Sequence, residues 1–169
     1  MKKYLKFYLI MFVALSISIF YNSISNAYVL NQQYVGYDCY YDISSNAQQY
    51  SRNLHYAKKW NFSGSRVYVS YRPGYGGTNI FQTFEDRDRG NYGVSYYYTS
   101  SYTQIVYYRA FKNASETVKN EVVVHEVGHA LGLSHTQPAN NSRSVMRAKG
   151  FNYKPYPLSD DKAGILAKY

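Results

Sequence analysis

The sequence of 169 residues contains a single cysteine, Cys39, and only 10 acidic residues against 19 basic ones. One cysteine cannot form an intramolecular disulfide, so a disulfide-stapled scaffold is excluded and stability must come from a hydrophobic core and any bound metal. The shortage of acidic residues favours anionic partners, such as an anionic cell surface, although an ordinary basic surface has the same composition. We expect no nucleic-acid partner, because no recognised nucleic-acid-binding motif accompanies the charge.

The sequence also lacks long low-complexity linkers and internal repeats, which predicts a single domain. Its N-terminus has the charged start MKKYLK, an apolar run at residues 7–20 and small residues at 25–27. This order is typical of a secretory signal cleaved after Ala27. An uncleaved membrane anchor is the alternative, because the run extended through Ile24 approaches the roughly 20 residues that a spanning helix needs. We predict a signal peptide at 1–27, one domain at 28–169 and an extracellular location.

Hydrophobic periodicity predicts an α+β fold, with one sheet and helices packed against it. The predicted strands cover residues 34–41, 66–71, 79–84, 93–100 and 103–111. The predicted helices cover 44–61, opened by a capping box of Ser45 and Gln48, then 116–133 and 159–168.

Two further features have competing interpretations. His55 lies on the polar face of the first predicted helix, so we expect it to be solvent-exposed rather than a metal ligand. Asp86 and Asp88 have a spacing found in calcium loops, but neighbouring arginines would oppose a cation, so calcium is only a weakly supported cofactor.

Three of the four histidines fall within HEVGHALGLSH, from His125 to His135. On a helix, His125 and His129 share one face and can bind the same zinc ion. Glu126 lies about 100° further round the axis, where it can take a proton from a metal-bound water. Gly132 allows the chain to leave the helix in a left-handed conformation, so that His135 reaches the same ion. Three protein ligands and one open position indicate a catalytic zinc site.

HEVGHALGLSH resembles the zinc signature of the metzincin metallopeptidases, and GHALGLSH is similar to their matrixin branch. SVM, which contains Met146, resembles the methionine turn beneath the zinc of that clan, and LSDDKAGI is similar to the closing helix of matrixin domains. The resemblance implies a metzincin-like catalytic domain at residues 28–169. Such a domain has a five-stranded mixed sheet, an active-site helix and a small C-terminal subdomain ending in a helix.

The resemblance also implies site roles: zinc ligands His125, His129 and His135, catalytic base Glu126, and a supporting Met146. It suggests that GVSYYYTS is the sheet edge along which a peptide substrate lies, and that RAKGFNYKPYP walls the specificity pocket. No histidine remains in the strand region for a second, structural zinc, so we expect one catalytic Zn²⁺. Cys39 is interpreted as a small buried core residue or, alternatively, as a thiolate that caps the zinc.

The predicted function is a secreted, monomeric, zinc-dependent endopeptidase. It would hydrolyse peptide bonds of extracellular proteins or peptides with a zinc-bound water assisted by Glu126. The alternative is a zincin-fold surface-binding module that holds a cell-wall polymer or host protein with little or no turnover. Glu126 argues against this alternative, because a structural zinc has no use for a carboxylate beside an open position.

Overall fold

The computed structural model describes residues 28–169, and the predicted signal peptide lies outside the described residues. Five strands form one mixed sheet: β1 (Asp38–Ile43), β2 (Tyr68–Tyr71), β3 (Ile80–Phe84), β4 (Gly93–Thr99) and β5 (Tyr102–Tyr107). Their order across the sheet is β2-β1-β3-β5-β4. Neighbouring strands are parallel except for β4, which pairs antiparallel with β5 and forms one edge of the sheet. The predicted α+β fold is confirmed.

The longest helix, α3 (Glu116–Ala130), packs on the sheet and fills the middle of the domain. Its residues Val123, Val124 and Val127 have no exposed surface, and the carbonyl oxygen of Val124 accepts a hydrogen bond of 3.0 Å from the indole of Trp60. The α-helices are α1 (Ser51–Leu54), α2 (Arg109–Asn113), α3 (Glu116–Ala130) and α4 (Ser159–Lys168). Two 3-10 turns, Ser45–Tyr50 and His55–Trp60, flank α1, and a third covers Pro138–Arg143. Within residues 28–169, none of the helices has the length and hydropathy that a membrane span requires.

The first helical region differs from its prediction in regularity and in its cap. The predicted capping box of Ser45 and Gln48 is wrong: Ser44 occupies the cap position without a side-chain cap hydrogen bond, and the Gln48 amide donates to the Ile43 carbonyl at 3.0 Å. The predicted apolar face does reach the core through Ala47, Tyr50, Leu54 and Ala57. Packing therefore holds this region in place even though its helix is mostly of the 3-10 type.

Several strand boundaries also differ from the prediction. The first strand covers Asp38–Ile43 rather than residues 34–41, the second begins at Tyr68 rather than at residue 66, and the last ends at Tyr107 rather than at residue 111. The following RAF segment turns into α2, because this places the fully buried ring of Phe111 4.6 Å from the ring of Tyr107. Apolar residues that are suited to a strand here form a short helix against the sheet.

Candidate metal centre and cleft

The end of α3 brings the third histidine back towards the first two. The helix ends at Ala130, and Gly132 has the positive φ of 97° that the sequence predicted. The amide of Leu133 then donates to the Gly128 carbonyl at 3.0 Å, which folds the chain back beneath the helix. Asn31, from the segment before β1, stabilises this exit by donating to the carbonyls of His129 at 3.1 Å and Leu133 at 3.0 Å.

The rings of His125, His129 and His135 consequently converge. Their centroids are separated by 4.7, 5.2 and 4.8 Å, and one nitrogen from each lies within 4.8 Å of the others. The Nε2 atoms of His129 and His135 are 3.3 Å apart. Two nitrogens bound at about 2.0–2.1 Å to a tetrahedral zinc stand about 3.3–3.4 Å apart, so this spacing suits two ligands of one ion.

The other ring nitrogens of the helical pair are bonded to backbone carbonyls. Nδ1 of His125 lies 2.8 Å from the Val145 carbonyl, and Nδ1 of His129 lies 2.8 Å from the Leu133 carbonyl. Donation of Nδ1–H to these oxygens leaves Nε2 with its lone pair, which is the tautomer that a metal ligand needs. Burial lowers the pKa of both rings to about 4, so both are neutral at pH 7. Neutral, oriented imidazoles with one exposed partner, His135, fit a zinc ion.

Glu126 lies beside the histidines with only 7% of its surface exposed. Its Oε2 accepts a hydrogen bond of 2.8 Å from the hydroxyl of Ser95 on β4, and the same hydroxyl lies 3.0 Å from the Glu126 carbonyl. Burial raises the pKa of the Glu126 carboxyl, while His129 and the Ser95 hydroxyl oppose this rise. Sequence reasoning missed Ser95, because its contact exists only once β4 lies against α3.

A cavity of about 540 Å³ opens over these side chains. One wall comes from β4 and the residues before it, the floor from α3, and the opposite wall from the segment after Met146. That last wall contains Arg147, Ala148, Lys149, Gly150 and Phe151. The N-terminal half of the predicted pocket segment RAKGFNYKPYP therefore lines the cavity.

Met146 packs against α3 at Gly128, with 2% of its surface exposed. A Cβ atom at Gly128 would overlap its Sδ, so the glycine permits this close approach. The Met146 carbonyl accepts from Thr136 at 2.7 Å, and the buried carboxylate of Asp161 accepts from the amides of Val145 at 2.8 Å and Met146 at 3.4 Å. Asp161 thereby fixes the turn whose Val145 carbonyl orients His125.

Three other candidate residues lie outside this centre. Cys39 is fully buried in β1, where burial raises the pKa of its thiol, so its surroundings fit the interpretation as a core residue rather than a zinc cap. The expectation of an exposed His55 is wrong: its Nδ1 lies 2.7 Å from the Tyr41 hydroxyl and it is half-buried. The carboxylate of Asp86 pairs with Arg109 at 2.8 Å and Lys112 at 2.9 Å, which argues against calcium there.

Comparisons with known proteins agree with this geometry. The family model described as Matrixin matches residues 24–169, whereas no curated protein sequence matches the chain. A structure of myroilysin has a TM-score of 0.60 at 16% identity, covering 82% of each chain; a second has 0.58 at 17%, covering 82% of this chain and 86% of that one. A chain in the GM1-bound form of the ECX AB5 holotoxin has 0.55 at 17%, covering 83% of each. At these identities the structural likeness concerns the fold alone.

Proposed function

Because the chain belongs to the matrixin family of metallopeptidases, we propose that it is a secreted, monomeric zinc endopeptidase that hydrolyses peptide bonds of extracellular proteins or peptides. One observation carries this proposal: three histidines converge beside a buried carboxylate at the floor of an open cavity. A site that served only to stabilise the fold would be closed by a fourth protein ligand.

In this proposal His125, His129 and His135 hold the ion and Glu126 moves the proton. When bound, zinc supplies a Lewis acid that polarises the scissile carbonyl and makes water more acidic. Glu126 takes a proton from the attacking water and delivers it to the leaving amine. The raised pKa of Glu126, caused by burial, brings the carboxyl closer to neutral pH and so suits both transfers.

The edge strand β4 supports an extended mode of substrate binding. It carries Ser95 and Tyr97 on the cavity wall, and it has a strand neighbour on one side only. A peptide that adds to this edge would gain backbone hydrogen bonds with little demand on its sequence. Selectivity would then come from the side chain that enters the cavity.

Secretion is supported by the signal-like residues 1–27, whose removal would leave 16 of the 19 basic residues against 10 acidic ones. A basic mature protein suits transient association with an anionic cell surface. The rival surface-binding module has the same charge, so charge does not separate the two functions.

Cleavage of a diverse peptide library tests the proposal. We expect cleavage by the zinc-loaded protein, no cleavage after chelation, and a loss of at least about 1,000-fold in Glu126→Ala with zinc content retained. Glu116→Ala is the matched control, because Glu116 lies exposed at the start of the same helix. Undiminished cleavage by Glu126→Ala would refute the proposed mechanism. No cleavage by the zinc-loaded wild type would favour the surface-binding module.

A further inference from the structure

A second glutamate lies in the floor of the cavity, one helical turn before His125. Glu121 has 2% of its surface exposed and belongs to the cavity lining. None of the ion pairs among residues 28–169 includes it. Burying a carboxylate costs several kcal/mol unless hydrogen bonds replace its water, so its partners indicate its role.

Those partners are two backbone amides of the segment that continues the cavity wall. Oε1 of Glu121 accepts from the Asn152 amide at 2.9 Å, and Oε2 accepts from the Lys154 amide at 3.2 Å. The Asn152 side chain completes the contact, because its Oδ1 also accepts from the Lys154 amide and its Nδ2 donates to the Ser144 carbonyl at 3.0 Å. The carboxylate therefore clamps the turn 152–154 onto α3.

The clamped turn contains a backbone conformation that does not form readily by itself. Tyr153 has a φ of 58°, the only positive φ at a non-glycine position within residues 28–169. This region costs a side-chain-bearing residue on the order of 1 kcal/mol or more. Tyr153 is 66% exposed, so its own packing offers little compensation. The hydrogen bonds to Glu121 lie on either side of Tyr153 and offset this cost together with the bond of 2.8 Å from the Lys154 amide to the Asn152 side chain.

The turn 152–154 also positions Phe151, the last residue of the cavity wall. Phe151 lines the cavity, and its ring meets Tyr92, from the opposite wall, edge-on at a centroid distance of 5.1 Å. The position of this ring limits the space available to a side chain entering beside the histidines. A shift of the turn would move Phe151 first, because Phe151 directly precedes it in the chain, whereas the three clustered histidines lie on α3 and its exit.

We propose that Glu121 is a positioning residue for substrate selection: its carboxylate clamps the turn 152–154 and thereby fixes the Phe151 wall of the cavity. This inference rests on the proposed peptidase function. It assigns to Glu121 no contact with the reacting atoms, so its loss should alter which peptides are cut more than the rate of the chemical step.

Glu121→Gln tests the proposal with a side chain of nearly the same size. The glutamine oxygen can accept one of the two amides, whereas its NH₂ group cannot accept the other. We expect at least one of the Asn152 and Lys154 amide hydrogens, the one that faces the NH₂ group, to exchange at least about tenfold faster than in the wild type. We also expect KM for the best library peptide to rise about three- to tenfold and the preference at the cavity subsite to broaden, with kcat within about twofold.

Glu116→Gln, the same change at an exposed position of α3, should leave exchange at these two amides and the cleavage profile as in the wild type. Unchanged exchange in Glu121→Gln would overturn the clamp. Faster exchange with an unaltered profile, or an equal loss of kcat for every peptide, would overturn the role in selection. If the wild type cleaves nothing, the proposed function fails and the role in selection fails with it, whereas the exchange result still decides whether the clamp exists.

Discussion

The hydroxyl of Ser95, on β4, donates a hydrogen bond to the carboxylate of Glu126. It restricts the carboxylate to one orientation and favours its charged form, in opposition to the burial that favours the neutral one. A group that shuttles a proton depends on both effects, because geometry and proton affinity jointly set its efficiency.

Replacing Ser95 by alanine should therefore slow turnover. Hydrogen bonds to charged groups contribute about 1.5–3 kcal/mol, so we expect kcat to fall by about 10- to 150-fold while KM changes little. Ser95→Thr, which retains the hydroxyl on a strand position that tolerates β-branching, should recover most of the rate. Steady-state kinetics on one library peptide would check this, and equal rates for Ser95→Ala and the wild type would contradict it.

His55 provides a test of the packing between the first helical region and β1, where its ring meets the Tyr41 hydroxyl. Burial, with a smaller contribution from Lys58, lowers the pKa of its ring in the folded protein. The unfolded chain then binds the proton more readily, so stability is full above the unfolded pKa of about 6.5 and falls as pH decreases through the lower folded pKa.

We accordingly expect the zinc-loaded protein to lose thermal stability between pH 7.5 and 5, and His55→Gln to lose less over the same range. Melting curves of the two proteins in matched buffers measure the difference. Identical pH dependence would show that the ring is as accessible to protons in the folded protein as in the unfolded chain.

At the scale of elements, α3 and its exit bring the site together. The helix supplies two histidines and Glu126, and the left-handed Gly132 supplies the turn that returns His135. A Cβ atom at Gly132 would lie 2.5 Å from the backbone oxygen of Gln33. The exit is thus packed against the segment before β1 and has no room for a side chain.

Gly132→Ala should lower the free energy of unfolding by about 2–4 kcal/mol and weaken zinc binding, because strain and overlap displace the turn that carries His135. Gly36→Ala is the matched control: Gly36 has a φ of 81° with nothing within 4 Å of the added Cβ. It should cost about 1 kcal/mol and leave zinc binding intact. Denaturant unfolding and competition with a chromogenic chelator measure both effects, and equal zinc affinities in the two variants would argue against the role of the exit.

The sequence predicts those parts of the site that depend on local geometry. The spacing of His125 and His129 and the Gly132 exit follow from helical periodicity and from the freedom of glycine, so they were predictable without a structure. The contacts of Ser95 and Glu121 join residues that are 31 to 33 positions apart, and no periodicity encodes them. The 3-10 turns at residues 45–60 were missed for a similar reason, because tertiary packing overrides helix propensity there.

On the scale of the whole molecule, the cavity lies between two bodies of structure. The sheet and α3 form one side, and residues 145–151 form the other. Asp161 holds the start of this segment, and Glu121 holds the turn 152–154 that follows it. The histidine cluster joins the two, since His125 bonds to the Val145 carbonyl and His135 follows the helix exit. An ion held there would link both bodies and would complete the catalytic centre at the same time.

The most direct test of this account is a zinc titration of the metal-free protein, followed by its cleavage of a library-derived peptide. We predict no activity without metal and a linear rise that ends at one zinc per chain, with His135→Ala inactive at that ratio. Full activity in the metal-free protein, or in His135→Ala at one equivalent of zinc, would contradict the assignment of the three histidines as the catalytic zinc site.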